Sequence, residues 1–478
     1  CQTSHSSTAS NPTPHTNISS HSPISSTSPI TPTSKQSPSS STTHDFTLNP
    51  LDVTLLDASN GFNEISRLRC LHTIRHLWPS ASRFAFNCYH HSIQVCIREH
   101  NSPATIIPGN EGIQQGDPLS MILYGLALTP LIERIHTEHS SIFLSENFLD
   151  PWYADDATIV ASVSDTIIIV QAIQTLGPIY GYYIQPEKSF HICSSSQISK
   201  SKPLFDAANL HFQYVQGTRY LGSYIGEKDF FPTWIKPQIQ TWVSAVQDLS
   251  LAAIKYPQAA YAVFTHCLQN QWSHLCRTTP NIGPFLTPIE QSIKNNFLPA
   301  LFHLENLDDS LREVLSHPIK FAGINILDPT VQAGFSYDTS LIATESLVDC
   351  LLYHAEVDLT LHHRNISETR QQCHQKIYKL HEDLLSKYLN TASPETQHRL
   401  ARAKIGGSWL TVIPKAINGT ILSAEEFRDN LRLRYGFTPE FLPKTCDGCN
   451  KAFTITHALN CRKGGLVNLR HSEIANEW

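Results

Sequence analysis

The stretch Trp152-Tyr153-Ala154-Asp155-Asp156-Ala157-Thr158-Ile159-Val160 sets two adjacent carboxylates between an aromatic pair and a β-branched apolar run. Its pattern predicts strand, acidic turn, strand, with the charge carried at a hairpin tip. Adjacent carboxylates repel one another unless a cation neutralises them, and Mg²⁺ is held by one or two carboxylates together with substrate phosphates. Phosphoryl transfer with two metals is one reading of the pair. A solvent-exposed Asp-Asp turn is the other.

The chain has 478 residues, enough for two or three domains. Its formal net charge of -6 and pI near 6.5 provide no overall attraction for nucleic acid, so any such contact needs a local basic groove. Twelve cysteines at irregular spacing, with no secretory signal, read as reduced thiols rather than a disulfide framework. No apolar run reaches bilayer length, and no membrane partner is expected. Residues 1–45 are dominated by Ser, Thr and Pro, with Lys35 their only Lys or Arg. Such a segment buries too little surface to offset its ordering entropy and reads as disordered. A start at Cys1 and a single methionine, Met121, are what a fragment would show.

From Phe46 the composition becomes that of a folded domain. Val53, Leu55 and Leu56 predict a short strand ending on Asp57, followed by Asp57-Ala-Ser-Asn-Gly-Phe-Asn-Glu-Ile-Ser-Arg67. A helix with Ile65, Leu68 and Leu71 on its apolar face should close at Trp78-Pro79. Ile93, Val95 and Ile97 alternate with polar residues as a half-buried strand does, and a second strand near 104–107 would complete a hairpin. Residues 111–135 pass from a glycine-punctuated loop to a helix, with Asp117 placed to cap it and Pro118 at its first position. Leu119, Ile122, Leu123, Leu126 and Ile132 mark its expected buried stripe. Gly112 and Gly116 bracket Gln114 and Gln115, letting backbone approach a ligand beside two amides that can bond it. A helix over 165–176, a turn-rich stretch carrying Lys188 and a hairpin containing Tyr220-Leu221-Gly222 follow. Beyond Phe230 the periodicity is helical, with Ile239, Trp242, Val243, Val246 and Leu249 on one face.

Near the C-terminus, Cys446, Cys449, His457 and Cys461 form a ligand set suited to tetrahedral Zn²⁺. Free thiols are the alternative. Four protein ligands would leave no position for water, so a zinc ion here would be structural.

Taken in order, Asp57-Ala-Ser-Asn-Gly-Phe62, Gly112-Ile-Gln-Gln-Gly-Asp-Pro-Leu-Ser120, Tyr153-Ala-Asp-Asp156, the Gly-Tyr stretch ending in Lys188-Ser189 and Arg219-Tyr-Leu-Gly222 resemble the successive palm motifs of reverse transcriptases of non-LTR retrotransposons. The resemblance implies an α+β right-hand polymerase palm, an antiparallel sheet with helices, over residues 46–226. A helical thumb and connector over 227–440 and a zinc-binding segment over 441–478 would follow. It implies an RNA-directed DNA polymerase acting on an RNA template, a DNA primer or target and deoxynucleoside triphosphates, with two catalytic Mg²⁺ ions and one structural Zn²⁺. Asp57 and Asp155 would hold the Mg²⁺ ions and Asp156 would support them. Phe62 would form the steric gate against a ribose 2′-hydroxyl. Gln115, Gly116 and Pro118 would back the nascent base pair and template. Lys188 would protonate or position the departing pyrophosphate. Tyr220, Leu221 and Gly222 would form the primer grip. A retroelement enzyme would be expected in the nucleus.

The chain departs from the family pattern in three respects. Position 61 is Gly where alanine is usual, and position 63 is Asn where many relatives have Asp. The Ser/Thr/Pro tract stands where relatives carry basic fingers residues that bind the incoming triphosphate, which would lower the rate by orders of magnitude. The sequence ends at Trp478, ahead of any endonuclease. A non-catalytic retroelement remnant, binding nucleic acid through its helices and zinc knuckle, is therefore the second expectation.

Overall fold

The computed structural model describes residues 52–98, 104–145, 147–353, 355–463 and 466–477. The Ser/Thr/Pro tract and the expected domain start at Phe46 lie outside the described residues. Within the compact unit Pro50–Trp478, β1 (Asp52–Leu56) is buried along its whole length. The chain continues through α1 (Gly61–Glu64), α2 (Arg67–Leu77), α3 (Pro79–Tyr89) and the hairpin of β2 (Ile93–Ile97) and β3 (Thr105–Gly109). Helices α4 (Ser120–Glu138) and α5 (Ser140–Phe143) precede β4 (Trp152–Tyr153) and β5 (Asp156–Ala161). Then come α6 (Val163–Leu176), β6 (Phe190–Ile192), α7 (Ser195–Ala207) and β7 (Gln213–Val215), and a second hairpin of β8 (Gly217–Tyr220) and β9 (Ser223–Gly226).

The expected α+β palm is present as a five-stranded sheet in the order β4-β5-β1-β6-β7. It is antiparallel except at one edge, where β6 and β7 run parallel. That exception follows from the crossover through α7, because parallel neighbours cannot be joined by a tight turn. Side chains alternate across the sheet. Leu56 packs with Ala157, Ile159, Leu123, Ala127 and Ile173 on the helical side. Val53 and Leu55 pack with Ile192 on the opposite face, against Tyr220 and Ile225 of the β8–β9 hairpin. By the same alternation Asp57 falls on the face of Val53 and Leu55.

The expected apolar faces of two helices pack on the core except at one residue each. In α2 the buried side is Cys70, Thr73 and Ile74, while Leu68 is 76% exposed and Ile65 is buried just ahead of the helix. In α4 it is Leu123, Tyr124, Ala127, Leu128, Leu131 and Ile135, while Ile122 is 50% exposed. An i, i+4 ladder set by contact with the sheet and α2 overrides the widest apolar arc. Helix α4 also starts at Ser120, two residues beyond Pro118. The Asp117 carboxylate instead accepts the Leu119 N–H at 2.9 Å in the preceding turn. The β2–β3 hairpin forms as expected but is exposed rather than half-buried, with Val95 and Ile107 cross-strand neighbours.

Beyond β9 the chain is helical: α8 (Phe231–Lys255), α9 (Pro257–His266), α10 (Ser273–Thr278), α11 (Thr287–Ser292), α12 (Leu298–Phe302), α13 (Asp309–Ser316), α14 (Pro329–Leu352), α15 (Leu359–Thr391), α16 (Pro394–Ile405) and α17 (Ala424–Tyr435). Ile239, Trp242 and Val246 of α8 join Phe264, Phe297, Phe302 and Phe427 in a second core. Arginines reach into it and satisfy backbone acceptors. Arg312 forms a two-pronged pair with Glu290 and donates to the Ile326 carbonyl, and Arg432 donates to the carbonyls of Phe302 and His303. Among the described residues no helix is long and apolar enough to cross a membrane.

A candidate carboxylate centre and a candidate zinc centre

The Asp-Asp hairpin forms as the sequence predicts, with Trp152 opposite Ala157 and Tyr153 opposite Asp156. Its two-residue loop, Ala154-Asp155, has Ala154 at φ 54°. A left-handed alanine is unfavourable, and here it provides the positive φ that a primed hairpin turn requires. Tyr182, fully buried, donates its hydroxyl to the Asp155 carbonyl at 2.9 Å and pins the loop. On the neighbouring strand, Leu56 stands opposite Ala157. Asp57 directly follows Leu56, and Asp156 directly precedes Ala157.

Desolvation raises the Asp57 carboxyl above its ordinary value, the Lys188 charge partly reverses this, and Asp155 adds to the rise. The Asp156 carboxyl is raised by desolvation, then by Asp155 and Asp57, although the residue as a whole is exposed. Three carboxylates thus crowd together with one nearby lysine. An oxygen-only donor set under mutual repulsion suits a hard divalent cation such as Mg²⁺.

The backbone of Asp57 is held by a neighbouring segment. Ser189, buried, accepts the Asp57 N–H at 3.0 Å and donates to the Gln185 carbonyl, while the Gln185 N–H donates to the Asp57 carbonyl at 2.9 Å. Lys188, exposed, lies in the helical turn Pro186–Lys188 between these two anchors.

Gly61 lies against the carboxylates: a Cβ there would stand 2.7 Å from Asp155 Cβ and 2.8 Å from the Tyr124 hydroxyl oxygen. Phe62, next in sequence, packs on Tyr124 with ring centroids 4.6 Å apart. Tyr124 is fully buried and its hydroxyl has no hydrogen-bond partner among the described residues. Burial, Asp155 and Asp156 together raise its pKa.

The loop carrying Gln115, Gly116 and Pro118 approaches the same region through Gly112 and Ile113, whose N–H groups donate to the carbonyls of Ile65 and Phe62. Gln115, Gly116 and Pro118 are exposed, and Gly116 has φ 90° with open space where a Cβ would stand. What fixes this loop is a residue the sequence reading passed over. Arg67 is buried and its guanidinium donates to the carbonyls of Gly112, His91, Gly109 and Glu111. The available signal was a basic residue at the first turn of an amphipathic helix, which by itself reads as a solvated surface charge.

Tyr220, Leu221 and Gly222 lie at the tip of the β8–β9 hairpin, Tyr220 opposite Ser223. Leu221 at φ 44° and Gly222 at φ 84° give both loop residues the left-handed backbone of a type I′ turn. The hairpin is braced from the helical core, with His274 Nε2 3.1 Å from the Leu221 carbonyl oxygen.

The four C-terminal ligand candidates converge, all ligating atoms lying within 4.8 Å of one another. Cys446 opens and Cys449 lies within a tight turn closed by Asn450, which has φ 58° and whose N–H donates to the Cys446 carbonyl. His457 lies on α18 (Ile455–Asn460), whose N-cap is Thr454, and Cys461 follows its last turn. The Sγ atoms of Cys446 and Cys461 are 3.7 Å apart, those of Cys449 and Cys461 3.8 Å, and Cys449 Sγ to His457 Nε2 is 3.2 Å. A tetrahedral ion with Zn–S bonds of about 2.3 Å implies an S···S edge of about 3.8 Å. The donor set therefore fits zinc in size as well as chemistry.

Residues 21–225 match the family described as reverse transcriptase (RNA-dependent DNA polymerase). This part of the chain is thus similar to a reverse transcriptase domain. No curated protein matches it. Among solved structures, telomerase from Candida albicans, in complex with a fragment of telomeric RNA, is 11% identical, covering 65% of this chain and 52% of that one at a TM-score of 0.29. Telomerase from Candida tropicalis, likewise with telomeric RNA, is 12% identical, covering 69% and 50% at a TM-score of 0.33. The chain spans about half the length of these structures.

Proposed function

We propose that this chain is the reverse transcriptase of a non-LTR retrotransposon, extending a DNA primer on an RNA template by two-metal nucleotidyl transfer. The observation that carries the reading is the convergence of Asp57, Asp155 and Asp156 under mutual repulsion, beside Lys188. Asp57 and Asp155 would hold two Mg²⁺ ions and Asp156 would support them. Bound there, the ions would lower the pKa of a primer 3′-hydroxyl and neutralise the triphosphate.

The remaining work falls to the chain itself. Tyr182 fixes the turn bearing Asp155, and Ser189 and Gln185 fix the backbone of Asp57. Lys188 places a cation where pyrophosphate departs. Phe62, backed by Tyr124, walls the sugar of the incoming deoxynucleoside triphosphate. Gln115, Gly116 and Pro118 back the template base, and Tyr220, Leu221 and Gly222 hold the primer end. In this reading residues 46–226 are the palm, 227–440 the thumb and connector, and 441–478 a structural zinc segment. The nucleus is the expected compartment.

The preformed Cys₃His set favours a second reading, a zinc protein that binds nucleic acid without synthesis. Primer extension on an RNA template with Mg²⁺ and deoxynucleotides separates the two. The polymerase reading expects extension that is lost in an Asp155→Ala, Asp156→Ala double variant. No extension by a folded, zinc-loaded parent would leave the binding reading standing.

A further inference from the structure

Tyr124 lies on α4, fully buried, and its hydroxyl has no hydrogen-bond partner among the described residues. Buried hydroxyls are ordinarily paired, and one that is not calls for an acceptor that the free chain does not supply. Burial and the nearby Asp155 and Asp156 keep its proton in place, so the hydroxyl remains a donor. Its ring packs on Phe62, which fixes the direction in which the oxygen points.

Gly61 shows where the missing acceptor lies. A Cβ on Gly61 would stand 2.8 Å from the Tyr124 hydroxyl oxygen, 2.7 Å from Asp155 Cβ and 3.1 Å from Asp155 Oδ2. Hydroxyl and carboxylate therefore border one notch, which a methyl group would fill and which Gly61 leaves clear. The backbone does not ask for glycine there, because Gly61 lies in α1 and has none of the positive φ that favours it. Its missing side chain is explained by the space between Tyr124 and Asp155. Tyr182, the other buried tyrosine at this turn, is already committed to the Asp155 carbonyl. Tyr124 is left for the carboxylate.

We propose, on the reading of Asp155 as a Mg²⁺ ligand, that Tyr124 is a positioning residue for the cation site: in the loaded chain the Asp155 carboxylate turns one oxygen into the Gly61 notch and accepts from the Tyr124 hydroxyl. A carboxylate that ligates through one oxygen is oriented by a hydrogen bond to the other, and losing such a bond costs about 10–100-fold in metal affinity. Because the hydroxyl is unpaired before loading, the bond is gained together with the ion and adds to its affinity.

The test titrates the zinc-loaded full chain with Mn²⁺, which suits the same oxygen donors as Mg²⁺. Free and bound ion are read by electron paramagnetic resonance, without substrate, for wild type, Tyr124→Phe, Asp155→Ala and the double variant Asp155→Ala/Tyr124→Phe. Tyr124→Phe removes one oxygen atom and keeps the ring on Phe62, so the fold is retained. It should bind Mn²⁺ about tenfold more weakly, and extension should need about tenfold more Mg²⁺ for half its maximal rate, with the rate at saturating Mg²⁺ little changed. On the Asp155→Ala background, where the acceptor is gone, the same substitution should have no further effect. Equal Mn²⁺ affinity in wild type and Tyr124→Phe would overturn the proposal, as would a wild-type chain that takes up no Mn²⁺. An equal loss on the Asp155→Ala background would also overturn it, by placing the effect of the hydroxyl elsewhere. Extension assays run in parallel separate this role from the polymerase reading. Weaker Mn²⁺ binding in Tyr124→Phe without synthesis by wild type would retain Tyr124 and remove the polymerase, and synthesis with unchanged Mn²⁺ affinity would do the reverse.

Discussion

Asp57 directly follows Leu56 and Asp156 directly precedes Ala157, the two residues that pair at the end of the central strands. Like charges facing each other across a sheet destabilise it. Both carboxyls are raised by desolvation and by neighbouring aspartates. The folded state therefore holds protons more tightly than the unfolded chain here, and this contribution to stability is lost as pH rises through the raised values. In metal-free protein, Asp57→Asn should raise Tm at neutral pH and flatten the dependence of Tm on pH above the ordinary value of 3.8. Mg²⁺ or Mn²⁺ should raise the Tm of wild type and leave the variant nearly unmoved. Thermal unfolding with and without divalent ions checks both, and a variant less stable than wild type at neutral pH would contradict the electrostatic account.

The ring contact between Phe62 and Tyr124 makes two different substitutions informative. Tyr124→Phe keeps the ring and removes an unpaired buried hydroxyl, so stability should be unchanged or improved. Tyr124→Leu removes the support behind Phe62 and opens a cavity, costing about 2–4 kcal/mol. If Phe62 walls the sugar, Phe62→Ala should lower the preference for deoxynucleotides over ribonucleotides by at least tenfold. Tyr124→Leu should lower it partway and Tyr124→Phe should not. Competing incorporation of the two nucleotide types measures the ratio directly.

The Cys₃His segment should behave as a separately held element that takes up zinc. Replacing Cys461 or His457 by alanine removes one of four ligands from a tetrahedral set, and measured zinc should fall from one ion per chain towards none. Because Cys446 and Cys461 belong to neither main core, the principal thermal transition should shift by less than about 1 kcal/mol equivalent. Hydrogen exchange confined to residues 445–461 would show the local loss. A collapse of the whole fold on chelation would assign the ion a larger structural part.

The sequence and the structure agree where the signal is local. The hairpin that carries Asp155 and Asp156, the hairpin that carries Tyr220, Leu221 and Gly222 and the Cys-x₂-Cys spacing each specify their own geometry over a few residues, and each forms, the first with its loop at Ala154-Asp155 and Asp156 paired in the strand. Disagreement begins where a distant neighbour decides. Leu68 and Ile122 carry the right residue type for a core but face water, because α2 and α4 rotate their buried faces towards each other and the sheet. The parallel β6–β7 edge depends on where the chain goes after α7, which alternation cannot show. Arg67 is the clearest case. Its carbonyl partners come from residues 91 to 112, and nothing near position 67 announces that they will gather around one guanidinium.

Arg67 is accordingly where a remote substitution should disturb the loop at 111–118. A lysine keeps the charge but offers a single nitrogen, which cannot span carbonyls at Gly112, His91, Gly109 and Glu111. Buried acceptors left unpaired cost about 1–3 kcal/mol each. Arg67→Lys should therefore lose roughly 2–4 kcal/mol of stability in all, the remainder being recovered by water at the hairpin base. Glu111 also accepts the Arg67 N–H, so its side chain should loosen with the loop. If Gln115 and Gly116 back the template base, the variant at a temperature where it is fully folded should show a raised KM for template–primer with a smaller change in kcat. Steady-state extension kinetics distinguish this from a general loss of folded protein, which would lower the apparent kcat and leave KM unchanged.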